Sequence, residues 1–214
     1  MRASATQAER IRLNQDTHAR AVRHLARRDP QLGAVIRQFG APTLHLRKAG
    51  FATLVQIILE QQVSLASGRA VFSKLRRLSG GVRPANICRL TEKKLLTAGL
   101  SRQKARYCHN LARVITRGEL RLSALHRHTD ENCRELLMRQ PGIGRWTADI
   151  YLMLAMGRPD IWPAGDLALE LAQAQVLGLA GRPSRAESEK HALAWRPWRS
   201  VAARILWHNY RNTR

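Results

Sequence analysis

Apolar residues recur at helical spacing along almost the whole chain and never settle into the strict alternation of a half-buried strand. That pattern confines the fold to helices packed on helices. Clusters such as Ser79-Gly80-Gly81 and the stretch 178–183 punctuate it with glycine and proline. Helices are predicted at about 17–28, 30–39, 50–60, 64–79, 91–98, 101–117, 130–139, 145–157, 166–177, 184–195 and 197–210. The expected class is all-α, and 214 residues are enough to bury a substantial core. Residues 1–19 read as a basic, flexible N-terminal segment.

Charge narrows the partner. The chain carries 37 Lys and Arg against 15 Asp and Glu, a formal net charge of +22. Such an excess points to a polyanion, most often nucleic acid, because neutralised phosphates release condensed counterions. Acidic lipid or a ribosomal partner satisfies charge alone equally well. The excess is uneven: residues 1–107 hold 21 basic and 5 acidic groups. Cys88, Cys108 and Cys133 are widely spaced and form no CxxC pair, which favours reduced thiols over a metal cluster or disulfide. With no apolar signal core and no membrane-length apolar run, the expectation is a soluble, cytoplasmic, nucleoid-associated protein.

One short stretch interrupts the helical pattern abruptly. QPGIGRWTA (140–148) places a proline and two glycines between two helical segments, and Trp146, Ile150 and Leu154 then resume spacing on one face. Such a hinge is either an ordinary turn of a helical bundle or a device that presents helix-start amides to a phosphate without reading a base.

Four stretches in order resemble the helix-hairpin-helix DNA glycosylases, and within them the 3-methyladenine (alkylbase) branch. They are IILEQQVSLASGRAVFSKL (57–75), GLSRQKARYCHNLA (99–112), LLMRQPGIGRWTADIYLMLAMGRPDIWPAGDLALE (136–170) and WRPWRSVAARILW (195–207). The resemblance implies two helical subdomains flanking a DNA-binding and active-site cleft. One is expected over 50–158; the other joins 20–49 with 159–214, in a minimal form without the N-terminal β-domain of longer relatives. The implied activity is monofunctional removal of alkylated bases such as 3-methyladenine and 7-methylguanine from double-stranded DNA, leaving an abasic site. A non-catalytic damage-binding protein and a glycosylase for another lesion, such as hypoxanthine, are the alternatives.

The implied roles fall on particular residues. Asp166, in WPAGDLAL, matches the catalytic carboxylate, where the residues alone also allow a plain helix cap. A carboxylate there stabilises the oxocarbenium character of the sugar and orients the attacking water. Trp146 stands where bifunctional relatives carry a Schiff-base lysine, and no lysine lies between Lys104 and Lys190. Strand nicking by an amine is therefore not expected. Trp146 and Trp207 match aromatic positions of the base pocket, and an aromatic face suits a flipped cationic purine. Ile150 falls at a third pocket position but departs from the aromatic that the branch carries there. Gln62 matches the wedge that fills the vacated stack, or else caps the following helix.

Backbone and phosphate contacts are expected from Gln61, Ser64, Arg102, Lys104, Gly142, Gly144, Arg145 and Thr147. The carbonyls of Met138, Gln140 and Ile143 match a site for Na+ or K+ in the hairpin. No catalytic cofactor and no iron–sulfur cluster are expected, since no cysteine follows Cys133. The family habit is a monomer with no membrane association.

Overall fold

Most helices begin at a side chain chosen to begin them. Asn14, Asp29, Ser64, Ser101, Thr129 and Ser184 each accept a backbone N–H from the first turn that follows. The computed structural model describes residues 12–213, and every regular element among them is helical. The α-helices are α1 (Gln15–Arg28), α2 (Pro30–Phe39), α3 (Phe51–Glu60), α4 (Leu65–Ser79), α5 (Pro84–Cys88), α6 (Glu92–Thr97), α7 (Arg102–Thr116), α8 (Asp130–Met138), α9 (Arg145–Leu154), α10 (Leu167–Leu177), α11 (Arg185–Ala192) and α12 (Arg199–Asn212). Short 3-10 turns cover Leu122–Arg127 and Leu193–Trp195. The all-α expectation holds.

The described chain divides into two compact units: Arg47–Tyr151, and the flanking segments up to Leu46 and from Leu152. In the Arg47–Tyr151 unit, α3 packs on α4 and α7, while α5 and α6 lie against α7. Helix α3 is buried along most of its length, including Leu54, Val55, Ile57 and Ile58. At its end the buried Glu60 accepts from both terminal nitrogens of Arg47, at 2.9 and 3.1 Å, and from Gln56 at 3.0 Å. Gly68 lets α4 press on this point, since a Cβ there would sit 2.9 Å from the Cα of Glu60.

In the other unit α12 packs against α10, α2 and α1. Its residues 200–206 are all buried. The segment leading to α10 is clamped to α12 by Asp160, whose carboxylate takes Arg199 at 2.8 and 3.0 Å. Trp162 lies against Trp195 with ring centroids 5.4 Å apart, and Trp195 donates its indole N–H to Asp29 at 2.6 Å. Trp195, the first tryptophan of the WRPWRS stretch, is thus buried in the core of this unit.

Three features depart from the sequence expectation. The first helix starts at Gln15, where Asn14 and Thr17 form a reciprocal capping box, so residues 15–19 are helical. The remainder of the expected flexible segment, residues 1–11, lies outside the described residues. The units meet in sequence at 151/152 rather than 158/159. The Arg158 N–H bonds back to Leu152 and the Gly157 carbonyl accepts from Leu13 at 2.8 Å, which ties 152–158 to the N-terminal segment. Helix α5 and the Leu122–Arg127 turn are too short for periodicity to reveal. Among the described residues no helix is long and apolar enough to cross a membrane.

Candidate functional site

In the unit that contains α10, a carboxylate stands at a helix start. Asp166 caps α10: its Oδ1 accepts the Leu169 N–H at 2.9 Å and the indole N–H of Trp207 at 3.1 Å. The loop into it is fixed as well. Gly165, at φ +86°, donates its N–H to the buried Glu170 at 3.1 Å, and Arg182 lies 3.7 Å from that carboxylate. The structure therefore brings Asp166 and Trp207 together, and gives Trp207 a contact that its sequence assignment as a pocket wall did not include. Two donors thus converge on one carboxylate oxygen at the start of α10. Two other carboxylates of the same motif stretch have arginine partners, Asp160 with Arg199 and Asp149 with Arg134.

In the Arg47–Tyr151 unit the hairpin joins α8 to α9. Gly142 adopts φ +86°, and a Cβ there would meet the Tyr107 ring at 2.2 Å. Both the backbone conformation and the close approach require glycine at this position. Gly144 is different: its φ is not positive and nothing lies within 4 Å of a virtual Cβ. Its carbonyl accepts the Ala148 N–H, so it opens α9 and leaves the first-turn amides without intrahelical acceptors. The two hairpin helices are locked by the Arg134 Nε bond to the fully buried Asp149. Burial pushes the Asp149 carboxyl up, and Arg134 and Arg145 pull it back. Arg134 also loses solvation, but Asp149 outweighs that loss and holds its guanidinium protonated.

The loop between α3 and α4 carries the expected wedge. Gln62 is exposed with φ +55°, a left-handed conformation uncommon for a residue with a side chain. It does not cap α4, because Ser64 does, accepting the Ser67 N–H at 3.1 Å. Val63 and Leu65 beside it are exposed apolar residues, 46% and 54% accessible, that sequence reading passed over.

Several residues expected at phosphates hold this loop instead. The Lys104 Nζ donates to the carbonyls of Leu59 at 3.0 Å and Gln61 at 2.8 Å, and burial lowers its pKa. The Gln61 amide donates to the Gly142 carbonyl and to the Thr147 hydroxyl, each at 2.8 Å. Thr147 is buried. Lys104, Gln61 and Thr147 thus form a tie between wedge loop and hairpin, correcting their expected outward placement. These partners lie 43 to 86 positions away along the chain, a separation that no local pattern reveals.

Arg102 is exposed on the first turn of α7, four positions before the exposed Arg106. Arg145 is exposed in part and lies 3.7 Å from Asp149. Trp146 is half-buried, while Ile150, one turn on, is buried. Of the hairpin carbonyls, Gln140 accepts the Ile143 N–H at 3.0 Å, and Met138 ends α8, where carbonyls have no following helical amide. Among the described residues no three His, Cys, Asp or Glu side chains cluster as a metal site. Burial pushes the Cys108 thiol up to about 12.

Comparison with known proteins agrees with this geometry. Residues 55–198 match the model of the HhH-GPD superfamily of base excision DNA repair proteins. The alkylbase DNA glycosidase-like protein mag2 of Schizosaccharomyces pombe is 26% identical over 197 residues, covering 89% of this chain and 92% of its own. DNA-3-methyladenine glycosylase 2 of Escherichia coli is 26% identical over 84% of this chain, which spans 66% of that protein. The S. pombe 3-methyladenine DNA glycosylase Mag1, solved with abasic DNA, superposes with a TM-score of 0.82 at 25% identity, over 88% of this chain and 95% of that one.

Proposed function

Since the chain belongs to the HhH-GPD superfamily of base excision DNA repair proteins, we propose that it is a monofunctional DNA glycosylase that excises alkylated bases. The observation that carries this reading is Asp166, whose Oδ1 is held between the Leu169 amide and the Trp207 indole N–H. A carboxylate fixed in this way faces no reorganisation when positive charge develops on the deoxyribose. It stabilises the oxocarbenium character as the N-glycosidic bond breaks and the bonding pair leaves with the base. It then orients a water to attack the anomeric carbon, and the products are a free base and an abasic site.

The substrate class follows from the other side chains. Trp146 offers an aromatic face at the hairpin, and 3-methyladenine and 7-methylguanine are cationic bases that such a face attracts. These bases already leave readily, so the site needs little acid catalysis. The Lys104 amine is committed to two carbonyls, and no lysine lies between it and Lys190, which supports hydrolysis without strand nicking. Gln62 is the wedge in this reading, set by its left-handed backbone, with Val63 and Leu65 as apolar neighbours.

Gly142, Gly144, Arg145, Arg102 and Ser64 remain the phosphate-side residues, contributing through amides, guanidinium groups and a hydroxyl. The carbonyls of Met138, Gln140 and Ile143 are hard oxygen donors suited to Na+ or K+, which would add positive charge beside a phosphate. The test is to incubate the protein with methylated duplex DNA and identify released bases by mass spectrometry, before and after alkali. Released methylpurines with nicks only after alkali support the proposal. Tight binding with no release favours a non-catalytic damage binder, and release confined to hypoxanthine would move the lesion class.

A further inference from the structure

We propose that the outer face of α1 is a second binding surface for duplex DNA, built from residues that belong neither to the hairpin nor to the surroundings of Asp166. Arg20, Arg23, His24, Arg27 and Arg28 are all exposed, and they line an open groove of about 490 Å3. At about 100° per residue they occupy an arc of about 140°. The opposite face of the helix carries the buried His18, Ala21, Val22 and Leu25, so the basic arc points away from the core. None of the five is within ion-pair distance of a carboxylate or makes a side-chain hydrogen bond among the described residues.

The fold itself does not call for this arrangement. Arg27 and Arg28 lie in the last turn, where they complement the helix dipole. Arg20 and Arg23 lie in the middle, where that explanation fails. Like charges three and four positions apart repel, so the stripe opposes helix stability and needs another reason. Arginine, the side chain that forks onto phosphate oxygens, is used at all four fixed-charge positions.

From Arg20 to Arg28 the helix advances about 12 Å. Phosphates on one strand advance about 3.4 Å each along the duplex axis, so the stripe matches about three or four of them. The stripe holds four arginines and a histidine on one rigid helix face and no apolar residue to enter a bilayer. The evenly spaced phosphates of a duplex therefore fit it better than unpaired RNA or a lipid surface. The role inferred is sequence-independent capture that lengthens the protein's residence on undamaged DNA.

The test compares the full chain with R20A/R23A/R27A/R28A by fluorescence anisotropy on an undamaged duplex, between about 50 and 200 mM salt. At about 0.9 per phosphate, the slope of log affinity against log salt should become shallower by about 2 to 4. Affinity at about 0.1 M salt should fall at least roughly tenfold. Alanine favours helix, so the unfolding midpoint should hold; R23E/R27E provides a second variant if the quadruple change does not fold. Unchanged slope and affinity would overturn the proposal. So would a loss seen only with single-stranded RNA or with vesicles of anionic lipid. Base release is not part of the readout, so a chain that binds duplex without cutting leaves this inference standing, and a cutting chain with an inert stripe refutes it alone.

Discussion

Replacing Trp207 by phenylalanine removes one hydrogen bond and little else. The indole N–H lies 3.1 Å from Asp166 Oδ1, the same oxygen that accepts the Leu169 N–H at 2.9 Å. A hydrogen bond to a charged acceptor contributes roughly 1.5–3 kcal/mol in general. Asp166 is half-buried and keeps its amide donor, so about 1–2 kcal/mol is the expected share here. If that share is realised fully as the sugar becomes cationic, the rate of base release falls by about 5- to 30-fold. The assay is single-turnover release of 7-methylguanine from a duplex, with enzyme in excess, for the wild type, W207F and W207A. W207F should show the partial loss, and W207A, which also removes the ring, a larger one. Wild-type rates for W207F beside an inactive W207A would refute the reasoning, because the ring rather than the N–H would then be what matters.

Other perturbations follow from the same contacts. Gly142→Ala combines a Cβ 2.2 Å from the Tyr107 ring with φ +86°, and should lower the unfolding free energy by at least about 2 kcal/mol in urea titration; a near-neutral variant would contradict the close approach. Lys104→Met keeps the stem but removes the bonds to Leu59 and Gln61, with an expected loss of about 1–2 kcal/mol and slower base release. An unchanged urea midpoint would show that Lys104 does not hold the loop. His18 is buried, and burial beside Arg204 lowers its pKa from 6.5 to about 4. The unfolded chain therefore takes up a proton before the folded one, and stability is lost as pH falls from about 6.5 to about 4, by up to about 3 kcal/mol. His18→Gln should flatten that part of the pH–stability curve, and an unaltered curve would assign the acid loss to other groups.

What the sequence discloses is local, and what it hides is long-range. Capping side chains such as Ser101 and Thr129 sit beside the turns they start, so helix positions could be read within a few residues. Helix α5 escaped because five residues hold too little of a period. Asp166 was legible through its motif, with its cap role and its candidate catalytic role on the same side chain. The Trp207 N–H bond was not, because Trp207 is 41 positions away and a tryptophan in a motif reads as a ring. Lys104 and Thr147 were read as outward anchors because lysine and threonine usually face solvent. Their actual partners, the Leu59 and Gln61 carbonyls and the Gln61 amide, are set by packing of α3 against α7 and by the hairpin. Gln62 directly follows the residue held by that tie, and of its left-handed backbone a sequence shows only that a glutamine is present.

The central claim is that the Asp166 carboxylate performs the chemistry, and Asp166→Asn tests it most directly. Asparagine keeps an oxygen that can accept from Leu169 and Trp207, so the cap and the fold should persist while the negative charge is lost. The measurement is the single-turnover rate of methylpurine release beside the unfolding midpoint of the same sample. A rate at least about a hundredfold lower, with the midpoint retained, is the predicted result. A rate within about threefold of the wild type would contradict the account and place the chemistry elsewhere.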